Sequence, residues 1–258
     1  MSAGRTALVV GGSAGIGLAT AHHLAQRCAV VVLAGRDADR LRHAAEQFQE
    51  AAATVDTLLL DVGDAAAVSE GWAALQARYG SIDILVNSAG SAQSGEIGDI
   101  SDDQWLGAFQ TKVLGAVRMM RAVLPGMEAN GFGRIINVAG TAGKEPDPWM
   151  VVPGTVNAAL IAVSQATSRS AAASGVTVNA VCPGPTQTGR WDGLVAAHAA
   201  RTGADLDRAR HELISAIPTG HPASVDDVAA LIGFLASEQA RHITGTAINI
   251  DGGQARGY

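Results

Sequence analysis

Seven short apolar segments alternate along the chain with longer segments in which apolar residues recur at helical spacing. The short segments are rich in β-branched residues and mostly apolar throughout, as strands covered on both faces of a sheet are. They are TALVV, AVVVLA, TVDTLLL, IDILVN, GRIINV, VTVNAV and TAINI. The helical segments are residues 15–27, 37–52, 64–79, 105–130, 153–173 and 225–237. This alternation predicts an α/β fold, a doubly wound (Rossmann) seven-stranded parallel sheet with helices on both faces.

The pattern runs through residues 1–258 without a linker or internal repeat, which predicts a single domain. A chain of this length with 48% hydrophobic residues can bury a sizeable core. The one irregular section, at about residues 184–222, is rich in polar residues and alanine. We expect it to form helices outside the sheet that cover a substrate site at the strand ends.

Composition narrows the classes of function and partner. Charged residues make up 16% of the chain and glycines number 31, which favours close packing and some burial of surface by self-association. A net charge of -6 gives a nucleic-acid or anionic-membrane partner no electrostatic support. Cys28 and Cys182 lie in apolar segments and form no CxxC pair, which predicts reduced thiols in a cytoplasmic protein. The histidines are scattered, so we expect no metal site.

A glycine-rich loop, VVGGSAGIG, follows the first strand segment and begins the first helix. Gly11, Gly15 and Gly17 let the backbone turn tightly and approach a pyrophosphate, while the helix N-terminus supplies N–H groups. The spacing is G-x-x-x-G-x-G, and its position between strand and helix predicts a dinucleotide site that includes Ser13 and Ile16.

The end of the second strand segment bears on the choice of cofactor. An acidic residue there would accept the ribose hydroxyls of NAD, but Arg36 stands there, and a guanidinium suits a 2′-phosphate. The nearest acid, Asp37, fits equally well as the cap of the next helix. We therefore predict that NADP(H) is preferred, with NAD(H) possible. At the end of the third strand segment, Asp61 and Val62 are expected beside the adenine.

Six motifs fall in one family's order and spacing: the glycine loop, LDVGD, ILVNSAG, GRIINVAG, VNAVCPGPTQT and TGTAINIDGG. Over nearly its whole length the sequence resembles the short-chain dehydrogenase/reductase family. The resemblance implies a nicotinamide cofactor, a small-molecule substrate and a homodimer or homotetramer. It also implies two groups of cofactor-binding residues, Asn87, Ala89 and Gly90 beside the adenine ribose, and Pro183, Gly184 and Thr188 beside the nicotinamide and phosphates. Ala14 stands where the family often has a basic residue, which removes one contact to a 2′-phosphate.

The family's catalytic residues are absent. The resemblance implies an Asn, a Ser, a Tyr that acts as acid and base, and a Lys that lowers the pKa of that Tyr. Those positions hold Lys112, Gly140, Pro153 and Asn157. Because a general acid is typically worth ~10²–10⁴-fold in rate, the family's usual ketone reduction is predicted to be severely impaired.

No shift of the alignment restores the missing motif. The only lysines are Lys112 and Lys144, and the only tyrosines are Tyr79 and Tyr258, so no Tyr-x-x-x-Lys exists. Tyr258, the final residue, could reach a neighbouring subunit's site, although a frayed terminus is the simpler expectation.

Lysine and asparagine have exchanged places between two neighbouring helices, relative to the family. We therefore predict that Lys112 projects into the cleft, near Asn157, and is the first candidate for a catalytic residue. The alternative is that Lys112 points elsewhere or fills space. Thr141 is a weaker candidate, since a hydroxyl is a poor acid unless it is activated.

Three functions remain open at this point. The first is a divergent oxidoreductase that moves hydride between NADP(H) and a small carbonyl, alcohol or enone substrate without the usual tyrosine. The second is a non-redox enzyme on the same fold, such as a dehydratase, isomerase or cyclase. The third is a catalytically inactive cofactor-binding or scaffold protein. We rank the oxidoreductase first by a narrow margin, because the members of this family are usually oxidoreductases.

Overall fold

The computed structural model describes residues 4–90 and 92–256. Within them, seven strands form one fully parallel sheet in the order β3-β2-β1-β4-β5-β6-β7, which confirms the predicted fold class. The strands are β1 (Thr6–Val10), β2 (Val30–Gly35), β3 (Thr54–Leu59), β4 (Ile84–Asn87), β5 (Gly133–Val138), β6 (Val176–Pro183) and β7 (Ala247–Ile250). The strand order reverses between β1 and β4, so a crevice opens at their carboxyl ends, where doubly wound folds bind ligands.

Helices cover both faces of the sheet. Among the described residues they are α1 (Gly15–Ala25), α2 (Ala38–Ala45), α3 (Ala65–Tyr79), α4 (Asp102–Ala108), α5 (Gly115–Ala129), α6 (Val151–Ala171), α7 (Gly189–Thr202), α8 (Leu206–Ser215) and α9 (Val225–Leu235). Helices α7 and α8 occupy the irregular section at 184–222.

Two predicted helices differ from those observed by more than two residues at one end. The segment predicted at 105–130 begins three residues earlier, at Asp102, and contains a π-helical segment, Phe109–Leu114, between α4 and α5. The segment predicted at 37–52 ends as an α-helix at Ala45 and continues only as the short 3-10 turn Glu46–Phe48. Neither feature has a clear signal in the spacing of apolar residues.

Side-chain caps explain where several helices begin. The carboxylate of Asp37 accepts a hydrogen bond from the backbone N–H of Arg40 at 3.0 Å, and Asp64 caps α3 in the same way. Ser101 and Ser224 each begin a capping box, in which the cap and the third helical residue bond each other's backbone N–H groups. Helix α1 differs, because Ala14 at its N-cap offers no side-chain acceptor.

The core lies in two layers, one on each face of the sheet. Alternate residues of β1 point to opposite faces, so Val9 joins Leu24 of α1 and Ile232 of α9, whereas Leu8 joins Met119 and Met127 of α5. The two layers hold the carboxyl ends of the strands in fixed positions. Among residues 4–90 and 92–256, no helix combines the length and apolarity that crossing a membrane requires.

Candidate active site

The glycine loop between β1 and α1 packs too closely for larger residues. Gly11 has a φ of +81°, and a Cβ there would lie 2.8 Å from the backbone nitrogen of Ala89. A Cβ on Gly17 would lie 2.1 Å from the carbonyl oxygen of Gly11. A Cβ on Gly15 would lie 3.4 Å from the Thr188 side chain, so the loop faces the start of α7. The first-turn N–H groups of Gly15, Ile16 and Gly17 receive no side-chain cap, and such groups commonly bind phosphate.

Arg36 and Ser13 lie at the end of β2, beside this loop. The Ser13 hydroxyl oxygen is 3.6 Å from the Cβ position of Gly35, the last residue of β2. Arg36 is exposed, and within the described chain its guanidinium has no hydrogen-bond or ion-pair partner. Asp37, which could have taken the role of a ribose acceptor, is used as the cap of α2. A free cation therefore lies where a 2′-phosphate would need one.

Asp61 and Val62, the residues expected beside the adenine, both accept hydrogen bonds within the chain. The Asp61 carboxylate accepts a hydrogen bond from the Gly63 N–H at 2.8 Å, while its side chain stays exposed. Val62 is buried, and its carbonyl oxygen accepts from the Arg118 guanidinium at 2.8 Å.

Asn87 belongs to a buried chain of amide hydrogen bonds. Its Nδ2 donates to Asn137 Oδ1 at 2.8 Å, and Asn137 Nδ2 donates to Ser164 Oγ at the same distance. The Oδ1 of Asn87 is buried without a partner in the described structure. Because an orphaned acceptor costs free energy, this atom fits a ligand hydroxyl at the crevice.

Lys112 lies in the π-helical segment, and its side chain is only 9% exposed. Its Nζ donates one hydrogen bond, to the carbonyl oxygen of Ala139 at 3.1 Å. Lys112 lies with Asn87 and Ala89 around a gap too small to admit a water molecule, and a Cβ on Gly90, which has a φ of +101°, would lie 3.0 Å from the Cβ of Lys112. An ammonium has three N–H donors, so two of them have no acceptor within the part of the chain that the structure describes.

Burial is the main reason that the pKa of Lys112 falls to about 8, and the positive charge of Arg190 lowers it further. Burial also raises the pKa of the neighbouring Cys182 thiol. Lys112 is thus an acid that titrates near physiological pH, a common property of functional residues.

Asn157 fills the space next to Gly140. A Cβ on Gly140 would lie 2.8 Å from Asn157 Nδ2, and the Oδ1 of Asn157 is buried without a partner in the described chain. Lys112 and Asn157 therefore approach consecutive residues, Ala139 and Gly140, from two different helices. Pro153, the third residue of α6, lies in the first turn, where a missing N–H breaks no helical hydrogen bond.

The remaining polar groups nearby are already engaged. The Thr141 hydroxyl donates to the carbonyl oxygen of Pro183 at 3.4 Å, which joins the ends of β5 and β6. The Lys144 ammonium is held by the Ala247 carbonyl and Asn249 Oδ1 at 3.0 and 2.9 Å. Gly184 packs on Asp251, where a Cβ would lie 2.8 Å from the Asp251 Cβ. These contacts engage the Thr141 hydroxyl and the Lys144 ammonium, whereas Lys112 Nζ makes a single hydrogen bond within the described chain.

Tyr79, the one tyrosine among the described residues, does not lie at the site. Tyr79 donates its hydroxyl to Asp56 of β3 at 2.8 Å, away from Lys112. Tyr258 lies outside the described residues.

Comparison with known proteins agrees with this geometry. A family model described as enoyl-(acyl carrier protein) reductase matches residues 10–255. The chain belongs to the short-chain dehydrogenase/reductase family. A ketoacyl reductase assigned to the monensin polyketide synthase of Streptomyces virginiae is 37% identical over 258 residues, covering 98% of this chain and 97% of that protein.

Solved structures from the short-chain dehydrogenase/reductase family superpose closely. A variant of actinorhodin polyketide ketoreductase with NADPH gives a TM-score of 0.94 at 29% identity, covering 98% of each chain. L-sorbose reductase from Gluconobacter frateurii, complexed with NADPH and L-sorbose, gives 0.93 at 29% identity, covering 100% of this chain and 98% of that one. The chain is therefore an oxidoreductase of this family by homology.

The sequence analysis missed two groups that act on Lys112, the carbonyl oxygen of Ala139, which accepts its hydrogen bond, and Arg190, whose positive charge lowers its pKa. The direction of the Lys112 side chain depends on the π-helical segment, which leaves no pattern in the sequence. Arg190 did carry a signal, since it stands two residues after Thr188, at a helix start where the macrodipole disfavours a cation.

Proposed function

We propose that this chain is an NADPH-dependent reductase of a small carbonyl compound, in which Lys112 replaces the usual tyrosine as proton donor. The observation that carries the proposal is the buried ammonium of Lys112, with two N–H groups free among described residues and a pKa of about 8. A donor whose pKa is near the working pH is favoured in general acid catalysis. The NADPH-bound relatives support the choice of cofactor.

The residues present fit a phosphorylated dinucleotide. The uncapped N–H groups at the start of α1 suit the pyrophosphate, and Arg36 suits the 2′-phosphate. The unpaired Oδ1 atoms of Asn87 and Asn157 are acceptors for ribose hydroxyls. NADPH, when bound, supplies the hydride. NAD(H) remains the alternative cofactor, which lacks only the phosphate that Arg36 would bind.

Lys112 can perform two tasks in this reaction. Its bond to the Ala139 carbonyl fixes the ammonium, so that the remaining N–H groups can donate to a carbonyl oxygen and polarise it. At pH 7, below its pKa of about 8, most of the side chain carries the proton that the product alkoxide needs. Gly140 has no side chain to compete for this space.

The test compares Lys112→Met and Lys112→Arg with the wild-type chain in an assay of NADPH oxidation against a panel of ketones and aldehydes. We expect Lys112→Met to lower kcat by about 10²–10⁴-fold, since it removes the general acid. Lys112→Arg keeps a positive charge, but the guanidinium does not give up its proton. We therefore expect it to polarise the carbonyl and not to act as the proton donor. The matched control is Arg121→Met, which removes an exposed cation from α5, the continuation of the same helical run.

Turnover that persists unchanged in Lys112→Met would refute the role of Lys112. Calorimetry with NADPH and NADH separates this result from a failure to bind cofactor. Tight NADPH binding without turnover of any carbonyl would instead favour the catalytically inactive cofactor-binding or scaffold protein. That second candidate is kept because Gly140 and Pro153 carry no side-chain group that could polarise a carbonyl or transfer a proton.

A further inference from the structure

Arg118, near the start of α5, joins two segments of the site by hydrogen bonds. Its guanidinium donates to the carbonyl oxygens of Val62 at 2.8 Å and Gly63 at 3.2 Å, in the loop at residues 61–63 that follows β3. It also donates to the carbonyl oxygen of Gln110 at 3.3 Å and to the Gln110 side-chain oxygen at 2.9 Å. Within the described chain no carboxylate forms an ion pair with Arg118, so these oxygens are its partners.

The Gln110 carbonyl oxygen closes the helical turn that carries Lys112. In the π-helical segment, Phe109–Leu114, the backbone N–H of Gly115 donates to this carbonyl oxygen, five residues earlier instead of four. Lys112 lies inside the segment, whose width determines the direction in which the side chain leaves the helix. Because π-helical turns are rare in proteins, we expect this one to need stabilising contacts, and Arg118 supplies one at its closing carbonyl.

The loop and the π-helical segment also fit each other closely. A Cβ on Gly115 would lie 2.7 Å from Val62 Cγ2, and a Cβ on Gly63 would lie 3.6 Å from Thr111 Oγ1. Val62, Thr111, Lys112 and Gly115 surround a gap too small to admit a water molecule. Because closely packed segments transmit displacements, a movement of the loop is passed to the turn that holds Lys112.

We propose that Arg118 is a positioning residue, which holds the Lys112 ammonium at the Ala139 carbonyl by joining the π-helical segment to the loop at residues 61–63. Its recorded hydrogen bonds reach the loop and Gln110, and none reaches Lys112, so it acts through the backbone. The loop also carries the residues expected beside the adenine. One side chain therefore supports both the adenine end of the cofactor site and the proton donor. The importance of this position for catalysis rests on the proposed reductase function.

Loss of Arg118 has a consequence for the charge of Lys112. Without the guanidinium the π-helical segment loses a contact at its closing carbonyl, and we expect the Lys112 ammonium to leave the Ala139 carbonyl for water. Solvation removes the burial that is the main cause of the lowered pKa, so the pKa of Lys112 should rise from about 8 towards 10.5. The other groups that act on this ammonium, the Arg190 guanidinium and the Cys182 thiol, stay in place.

The small number of lysines makes the effect measurable by NMR. The only lysines are Lys112 and Lys144, so protein grown with lysine carrying 13C at Cε gives two lysine signals, which Lys112→Met assigns. In Arg118→Met we expect the titration midpoint of the Lys112 signal to rise by about one pH unit or more, while the Lys144 signal keeps its wild-type titration. About 1 M sodium chloride screens the loss of the Arg118 charge itself. Arg121→Met, which removes an exposed arginine from the same helix, is the matched control and should titrate as the wild-type chain does.

A double-mutant comparison tests whether Arg118 acts on the reaction through Lys112. With saturating NADPH at pH 7, Arg118→Met should lower kcat for a carbonyl substrate by about tenfold or more, because the general acid is displaced. Arg118→Met combined with Lys112→Met should lose no more than Lys112→Met alone, since both changes affect the same proton donor. Losses that multiply would show that Arg118 acts elsewhere, and would contradict the proposal.

The titration decides the proposal without any activity. A Lys112 signal that keeps its wild-type midpoint in Arg118→Met would overturn it. So would a wild-type Lys112 that titrates near 10.5, since its ammonium would then lie in water. If no carbonyl is turned over, the reductase function fails, and the NMR result still shows whether Arg118 positions Lys112. Should Arg118→Met not fold, Arg118→Gln is titrated in its place, because glutamine favours a helix but is too short to bond the loop and Gln110 together.

Discussion

Lys112 is a buried cation whose free energy depends on pH. Burial disfavours its charged form and lowers its pKa from 10.5 to about 8. If its ammonium is the proton donor, kcat for carbonyl reduction should be highest below pH 8 and fall as the pH rises through about 8. Stopped-flow or steady-state rates between pH 6 and 10 check this, with saturating NADPH. In Lys112→Arg the fall should be absent from this range, because arginine keeps its proton. A wild-type rate that rises with pH would contradict the role.

The same pKa shift predicts a change in stability. Below about pH 8 both the folded and unfolded chains hold the proton, and the folded chain bears the cost of burying it. Between about pH 8 and 10.5 only the unfolded chain keeps it, so the free energy of unfolding should rise with pH across this window. Lys112→Met should therefore be more stable than the wild-type chain at pH 7, by about 3 kcal/mol at most, and equally stable near pH 11.

Denaturant unfolding at the two pH values measures this difference, with Arg121→Met as the exposed control. A Lys112→Met variant that is less stable at pH 7 would mean that the bond to Ala139 outweighs the cost of burial. A gain in stability with a loss of activity would instead mark Lys112 as a residue retained for function.

Gly140 and Asn157 depend on each other. Gly140→Ser alone adds a Cβ about 2.8 Å from Asn157 Nδ2, at a residue with φ of +157°. We expect this reversion towards the family residue to lower the Tm and to add no activity. Gly140→Ser with Asn157→Ala should recover part of the Tm. Gly107→Ser, at a glycine with open space around it, is the control. A Gly140→Ser variant as stable as the wild-type chain would show that Asn157 moves freely.

The identity of these residues was predictable, while their contacts were not. The sequence alone indicated that lysine and asparagine had changed helices. It could not indicate that Lys112 reaches the Ala139 carbonyl, because that direction is set by a π-helical segment and by tertiary packing.

At the scale of elements, strand positions followed closely from apolar runs, since the central strands β1, β4, β5 and β6 are buried along their whole length. The start of α2 followed from its capping residue, Asp37. Helix ends followed less well, as the early end of α2 at Ala45 shows. Tertiary packing decides where such a helix ends, and the spacing of apolar residues in the sequence does not show that position.

The end of β2 determines the expected choice between cofactors. Arg36 is exposed and has no partner within the described residues, so its charge is free for a 2′-phosphate. Arg36→Ala should weaken NADPH binding by roughly tenfold or more and leave NADH binding nearly unchanged, since only NADPH carries that phosphate. Calorimetry with both cofactors measures this, with Arg40→Ala on α2 as an exposed control. Equal loss of affinity for both cofactors would contradict the assignment.

At the scale of the whole molecule, the helices α4 to α6 leave apolar and small side chains in solvent. Leu106 and Leu114 are 62% and 38% exposed, and α6 presents Ala158, Ala162 and Ala166 at successive turns. Large exposed apolar side chains beside a flat, small-residue helix face favour a helix–helix interface. The low charge of the chain, 16% of residues, points the same way.

We therefore predict a homodimer or homotetramer that uses these helices. Ala162→Arg places a bulky charge on the α6 face and should lower the oligomeric state, because a charge buried without a partner at an interface is strongly unfavourable. Sedimentation velocity at micromolar concentration measures the state, and circular dichroism checks that the variant is folded. Ala66→Arg, at an exposed alanine of α3, is the matched control and should assemble as the wild-type chain does. A wild-type chain that sediments as a monomer would refute the prediction, and an Ala162→Arg variant that assembles normally would move the interface elsewhere.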